Sequence, residues 1–174
     1  MLPAARALIA ELDKETPATR RLIERIPDDR LAWRPHPKSM SIGQLGNHIA
    51  TIPGGIARLS QVGALDVSTR NIEPAPAESR AALLATLDSS LASAKEVLSQ
   101  LDEASAAAPW RMSYGDREIF TVPRLEMLRT MLFNHWIHHR GELVVYLRLL
   151  DIPVPVVYGR SADENPFLQA AATL

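Results

Sequence analysis

Hydrophobic and polar positions alternate along most of the chain in steps of three and four, the spacing that places apolar residues on one face of a helix. The first such row covers about residues 3 to 26 through Leu8, Leu12, Leu22 and Ile26, with Pro17 expected as a kink or restart and Pro27 as the stop. The second opens at Ser41, which has the capping-box spacing to Gln44, and continues through Ile42, Leu45, Ile49, Ile52, Ile56 and Leu59. Pro53 interrupts that row. It has no N–H for the carbonyl of Ile49, so a bend or break is predicted one turn beyond His48. The third row is Leu84, Leu87, Leu91, Ala94, Leu98 and Leu101. The fourth runs from Val122 to Leu150 through Leu125, Leu128, Leu132, His135, His139, Glu142, Tyr146 and Leu149, an unbroken register in which two imidazoles stand where leucine is expected.

The stretches between these rows change the picture little. "WRMSYGDREIFT" has a Gly-Asp turn between segments able to form strand, which leaves room for a small hairpin before the last helix. The connections over residues 27 to 40 and 62 to 77 are long for antiparallel neighbours, so crossovers are predicted. The Pro-rich tail, residues 151–174, is not helical, but Val154, Val156, Val157, Tyr158 and Phe167 suit it to pack on the helices. The expected fold is all-α: a four-helix bundle with long crossover connections, forming a single domain of residues 1–174.

Composition narrows the chemistry. A chain of 174 residues can bury a core without staples. A net charge of -1 at pH 7, without runs of one sign, gives no footprint for nucleic acid or an anionic membrane. The opening "MLPAARALIAELDKETPATRR" has Arg6 and Glu11 breaking its apolar residues, which argues against a signal peptide or membrane span and for a cytoplasmic protein. The chain has no cysteine, which removes disulfides, thiolate ligands, iron–sulfur clusters and any thiol nucleophile of its own. Any metal must be held by histidine, carboxylate or water.

Within "NHWIHHRGEL", His135 and His139 are four apart, so on a helix their side chains leave one face about 5–6 Å apart at Cβ and can share an ion. His48 lies on the inward row of the second helix. Three imidazoles from two facing helices would leave positions open for water or substrate, as catalytic metal sites do. The alternative is that the histidines are hydrogen-bonded core residues. His138 falls beside the row and reads as a rim residue, and His36, between two prolines in "WRPHPKS", reads as a connection residue. Other metal and nucleophile chemistries fail on missing residues. No glutamate has a histidine three positions later, so a di-iron carboxylate bundle is excluded. Residue 136 is Trp where a zincin needs Glu, and there is no nucleophile elbow, P-loop or dinucleotide-binding glycine pattern.

"SMSIGQLGNHIA" followed by "FNHWIHHRGELVVYLRLLDIPVPVVYGRSADE" resembles the DinB family of DinB/YfiT-like metalloenzymes, and the likeness extends over most of the chain. The resemblance implies a four-helix bundle of unusual connectivity, often a homodimer, with three histidines on a divalent metal, commonly zinc or nickel. Its ligands carry over to His48, His135 and His139. It further implies a thiol-dependent S-transferase or a related enzyme that uses a low-molecular-weight thiol on a small electrophile. Lacking cysteine, this chain would take that thiol as a cosubstrate, and the same ion would equally suit hydrolysis. Two positions depart from the family pattern. Glu142 stands where Gln is frequent and is the candidate catalytic residue, able to orient a ligand, hold a water at the metal or act as a base, or else to pair with Arg140, Arg148 or solvent. Arg160 replaces a frequent Pro in the tail motif. The alternative function is a non-catalytic metal- or ligand-binding stress-response protein.

Overall fold

Pro3, whose fixed φ and missing N–H suit the first helical turn, starts α1 (Pro3–Ile23). This is a computed structural model, and it describes residues 1–71 and 73–167; the tail residues 168–174, expected to pack with the rest, lie outside the described residues. Pro17 does not stop α1, which buries Leu8, Leu12, Leu22 and Ile23 along one face. The following linker turns back so that Leu31 and Trp33 offer carbonyls to Gly43 and Ile42, whose N–H groups have no helical partner. There α2 (Ile42–Ser60) begins with the expected capping box. Gln44 N–H donates to Ser41 Oγ at 3.1 Å and Ser41 N–H to Gln44 Oε1 at 2.9 Å.

Pro53 does not break α2, which continues to Ser60. Its missing donor is replaced from another helix: the indole Nε1 of Trp136 donates to the Ile49 carbonyl at 2.9 Å. One residue on, Gly54 N–H donates to Ser90 Oγ at 2.8 Å, and that hydroxyl donates to the Thr51 carbonyl at 3.2 Å. A Cβ at Gly54 would lie 2.7 Å from the Ser90 carbonyl oxygen, so this glycine permits the close approach of the neighbouring helix.

After α2 come the short strand β1 (Ala64–Asp66), α3 (Arg80–Ser99) and α4 (Glu103–Ala107), then β2 (Pro109–Tyr114) and β3 (Arg117–Pro123). The hairpin expected in "WRMSYGDREIFT" is β2–β3, closed by Gly115 and Asp116 with Gly115 at φ 57°, the positive value a glycine at the first turn position supplies. The all-α expectation is corrected here. β1 pairs in parallel with β2, giving a three-stranded sheet in the order β1-β2-β3 beside a mostly helical fold. Trp110, Met112 and Met127 form a small second core beneath it.

The last helical stretch is continuous but not uniform: α5 (Arg124–Met127), a π-helical turn over Leu128–Asn134, then α6 (His135–Leu149). The unbroken register expected there is corrected. The buried row is Leu128, Leu132, Trp136, Arg140, Leu143 and Leu147, while His135, His139, Glu142 and Tyr146 form a half-buried row beside it. Three successive steps of four overshoot a 3.6-residue helix by about a third of a turn, and the wider π turn takes up that drift. α2 packs on α3 and α6, and α1 closes against the same two helices.

The tail keeps Val154 buried but leaves Tyr158 and Phe167 67% and 70% exposed, against the expectation that both pack inward. Tyr158 contributes its hydroxyl instead, donating to Glu15 Oε2 at 2.7 Å and accepting from Arg140. Arg140 is fully buried and also donates to Glu15 Oε2 at 2.6 Å and to Thr19 Oγ1 at 3.1 Å. Burial works to raise the Glu15 carboxyl, but the hydrogen bonds from Tyr158 and Arg140 and the Arg140 charge hold it below the usual carboxylate value. Asp163 pairs with Arg148 and takes the Val154 N–H at 2.8 Å, and Glu164 pairs with Arg21 and takes the Val156 N–H at 3.0 Å. The residues of "YGRSADE" thus clasp the tail to α1 and α6.

Candidate metal centre

His48 immediately precedes Ile49, and His135 immediately precedes Trp136. The indole bond to the Ile49 carbonyl therefore ties α2 to α6 one residue from each of two histidines. His139 follows one turn later on α6. The three imidazoles converge: His48 Nε2 is 3.2 Å from His135 Nε2, and His139 Nε2 is 2.9 Å from it. All three side chains are half-buried, and their ligand atoms lie within 4.8 Å of one another.

The outer ring nitrogens decide the tautomers. His135 Nδ1 is 3.3 Å from the Met131 carbonyl of the π turn, and a carbonyl only accepts, so the hydrogen is on Nδ1 and Nε2 is bare. His139 Nδ1 is 2.7 Å from Glu142 Oε2, and a carboxylate imposes the same tautomer. With both rings neutral, two lone pairs then face each other at 2.9 Å with no hydrogen between them. A cation resolves that repulsion. With metal–nitrogen distances of about 2.0–2.1 Å, tetrahedral ligation sets nitrogens about 3.3 Å apart, close to the spacing observed. The donor set therefore fits a divalent ion.

Electrostatics favour the ligating form. Burial, then the neighbouring His139 and His135 charges, pull the His48 imidazole down to about 4. Burial and His139 likewise lower His135, against the opposing effect of its bond to Met131. Both are neutral at pH 7.

Glu142, the candidate catalytic residue, does not pair with Arg140 or Arg148, whose partners are Glu15 and Asp163. One of its oxygens takes His139 and the other lies 3.1 Å from Nε2 of exposed His138. His138, His139 and Glu142 form a second cluster with suitable ligand atoms, but it shares His139 with the first. His36 sits in its exposed loop, accepting the Lys38 N–H at 3.1 Å, outside both clusters. Arg160 is exposed. Trp136 was not foreseen from the pattern as a support of the centre, nor were Glu15 and Tyr158 foreseen as the partners of Arg140 in the tail clasp. An orphan carbonyl at Ile49 and an indole donor in "HWIHH" were the visible signal for the first.

No helix is long and apolar enough to cross a membrane among the described residues. Among curated proteins none matches the sequence. Among the solved structures that share the fold are three DinB-type proteins. A DinB-like protein from Bacillus subtilis is 22% identical with a TM-score of 0.65, over 88% of this chain and 99% of that one. A DinB-like protein from Bacillus cereus is 20% identical with a TM-score of 0.68, over 88% and 97%. A DinB family member from Exiguobacterium sibiricum is 20% identical with a TM-score of 0.63, over 90% and 97%. The sequence itself matches the DinB family profile over residues 1–166, and the chain belongs to the DinB family.

Proposed function

We propose that His48, His135 and His139 hold one divalent metal ion, zinc or nickel by family resemblance, in an enzyme that transfers a group to a low-molecular-weight thiol or hydrolyses its substrate. The observation that carries this reading is the pair of Nδ1–H bonds, to Met131 and to Glu142, that leave two bare Nε2 atoms facing each other at 2.9 Å. The bound ion supplies Lewis acidity toward a thiol or water. The protein's own contribution is positional. Glu142 fixes the His139 ring and raises its basicity, the Met131 carbonyl does the same for His135, and Trp136 holds α6 against α2. With both carboxylate oxygens engaged, Glu142 is a positioning residue in this arrangement rather than a free base. The reading takes the long helices as a four-helix bundle of the family's type, acting as a cytoplasmic homodimer. Exposed Val145 and Leu149 on α6 support a partner copy there.

Elemental mass spectrometry of protein purified without a polyhistidine tag tests the centre. Near one equivalent of metal in the wild type, falling at least about tenfold in His48→Ala, His135→Ala and His139→Ala, is expected. Metal retained in any of the three overturns the ligand set. Thiol-dependent turnover of an electrophile panel then separates a transferase from a hydrolase, and its absence with metal bound points to a binding protein.

A further inference from the structure

Among the described residues no arginine or lysine pairs with Glu142. The two guanidinium groups closest to it along α6, those of Arg140 and Arg148, belong to Glu15 and Asp163, and the partners of Glu142 are two imidazoles. Its Oε2 takes the Nδ1 hydrogen of His139 at 2.7 Å. Its Oε1 lies 3.1 Å from Nε2 of His138, one helical turn back. The His138 side chain is 64% exposed and that of Glu142 38%, against 12% for His139, so this second contact is open to solvent where the three-histidine cluster is not.

The pair has the spacing of two ligands on one ion. Donor atoms held at about 2.0–2.2 Å, at angles between octahedral and tetrahedral, stand about 2.8–3.6 Å apart, and 3.1 Å falls within that span. A four-residue step on a helix keeps both side chains on one face, so the spacing survives small motions of either. His138, His139 and Glu142 each bring a suitable ligand atom within 4.8 Å of the others. Of these, His139 Nδ1 is spoken for by its hydrogen bond, which leaves one imidazole and one carboxylate oxygen, donors that suit a zinc-type divalent ion.

We propose that His138 and Glu142 form a second, exchangeable site for a divalent cation, beside the three-histidine centre and filled when metal is in excess. The ion takes His138 Nε2 and Glu142 Oε1, water completes its shell, and the His138 ring carries its hydrogen on Nδ1. Glu142 Oε2 stays on His139 Nδ1–H, so no proton leaves His139 and the first centre keeps its three ligands. Two protein ligands against three make this the weaker site. On the reading proposed above for the first centre, the second ion draws charge from the carboxylate that supports His139, so that excess metal is felt there too.

The test is equilibrium dialysis of the full, untagged chain against zinc from micromolar to millimolar, with bound metal read by elemental mass spectrometry. A second equivalent that saturates below millimolar zinc is expected in the wild type. It should weaken at least about tenfold in His138→Ala, which keeps the first equivalent, and about as much in Glu142→Gln. His36→Ala, at the other exposed histidine, should leave it unchanged. His135→Ala, which disables the first centre, should still bind zinc with the second site's affinity. The two readings fail separately: a single zinc lost in His138→Ala and kept in His135→Ala overturns the three-histidine centre and upholds this site, and the opposite pattern does the reverse. A second equivalent retained in full by His138→Ala or by Glu142→Gln, or lost in His36→Ala, also overturns the proposal, as the mark of zinc held adventitiously elsewhere.

Discussion

Trp136→Phe isolates the bond that spans the gap in α2. The indole is fully buried, as is Ile49, and removing its N–H leaves the Ile49 carbonyl without a donor, since Pro53 has none to give. An unmatched buried acceptor costs about 1–3 kcal/mol, and in a chain of this length each kcal/mol lowers the melting temperature by about 2–4 °C. The smaller ring also loses packing, so the single variant does not measure the bond by itself. A double-mutant cycle with Pro53→Ala does. Alanine restores an N–H at position 53 that can close the helical bond to Ile49, after which Trp136→Phe loses packing only. Urea unfolding of the four proteins, at matched metal content, should give a coupling energy of about 1–2 kcal/mol. Because His48 and His135 are chain neighbours of the two bonded residues, Trp136→Phe should also weaken metal binding about tenfold in a chelator competition. A coupling energy below about 0.3 kcal/mol would refute the argument that the indole replaces the missing proline donor.

The remaining expectations concern the histidines and the tail clasp. Glu142→Ala should lower metal affinity about 10–100-fold, with Glu142→Gln, which keeps an acceptor for His139, affected less; equal affinity in the alanine variant removes the orienting role. The folded His48 imidazole is held near 4 against an unfolded value of 6.5, so between those limits the unfolded chain carries the extra proton. Stability from this group is therefore full above about pH 6.5 and lost as pH falls toward about 4, with metal released over the same window; unfolding midpoints that stay flat from pH 7 to 4.5 would contradict this. Arg140→Met leaves Glu15 charged and unpaired in the core and should cost about 3–5 kcal/mol in urea unfolding, while Glu15→Leu with Arg140→Met recovers most of it. A single variant no less stable than the double one would show that the pair is not what anchors the clasp.

What the sequence made legible was local. Ser41 and Gln44 form a capping box because the two groups that satisfy each other are three residues apart. The Gly115–Asp116 turn is equally self-contained. The expected break at Pro53 did not occur because its remedy comes from Trp136, 87 residues from Ile49. β1 was invisible for a related reason: three residues cannot show an alternation, and their partner strand lies beyond α3. The fourth row shows the mixed case. Its spacing correctly placed His135, His139, Glu142 and Tyr146 on one face, but a spacing of four fits both an α-helix and a π turn. Which face would be buried therefore depended on the π turn at Leu128–Asn134, and the core row proved to be the adjacent one through Trp136 and Arg140. His48 meets the other two along the half-buried edges of α2 and α6, beside the core faces and not on them, so their convergence was expected from the pattern but not for the reason it offered. The hydrogen bonds that set their tautomers depend on side-chain geometry that no spacing contains.

The separation between the two halves of the cluster also has a consequence for biogenesis. His48 and His135 are 87 residues apart, and at synthesis rates of about 5–20 residues per second the first emerges from the ribosome about 4–17 s before the second. During that interval His48 is a lone imidazole on a helix whose Ile49 carbonyl has yet to meet its indole. An ion arriving then would find one ligand and leave again. On the proposed reading, metal loading would belong to the finished helical assembly, and the ion available at that later moment, not during translation, would set which metal the centre takes.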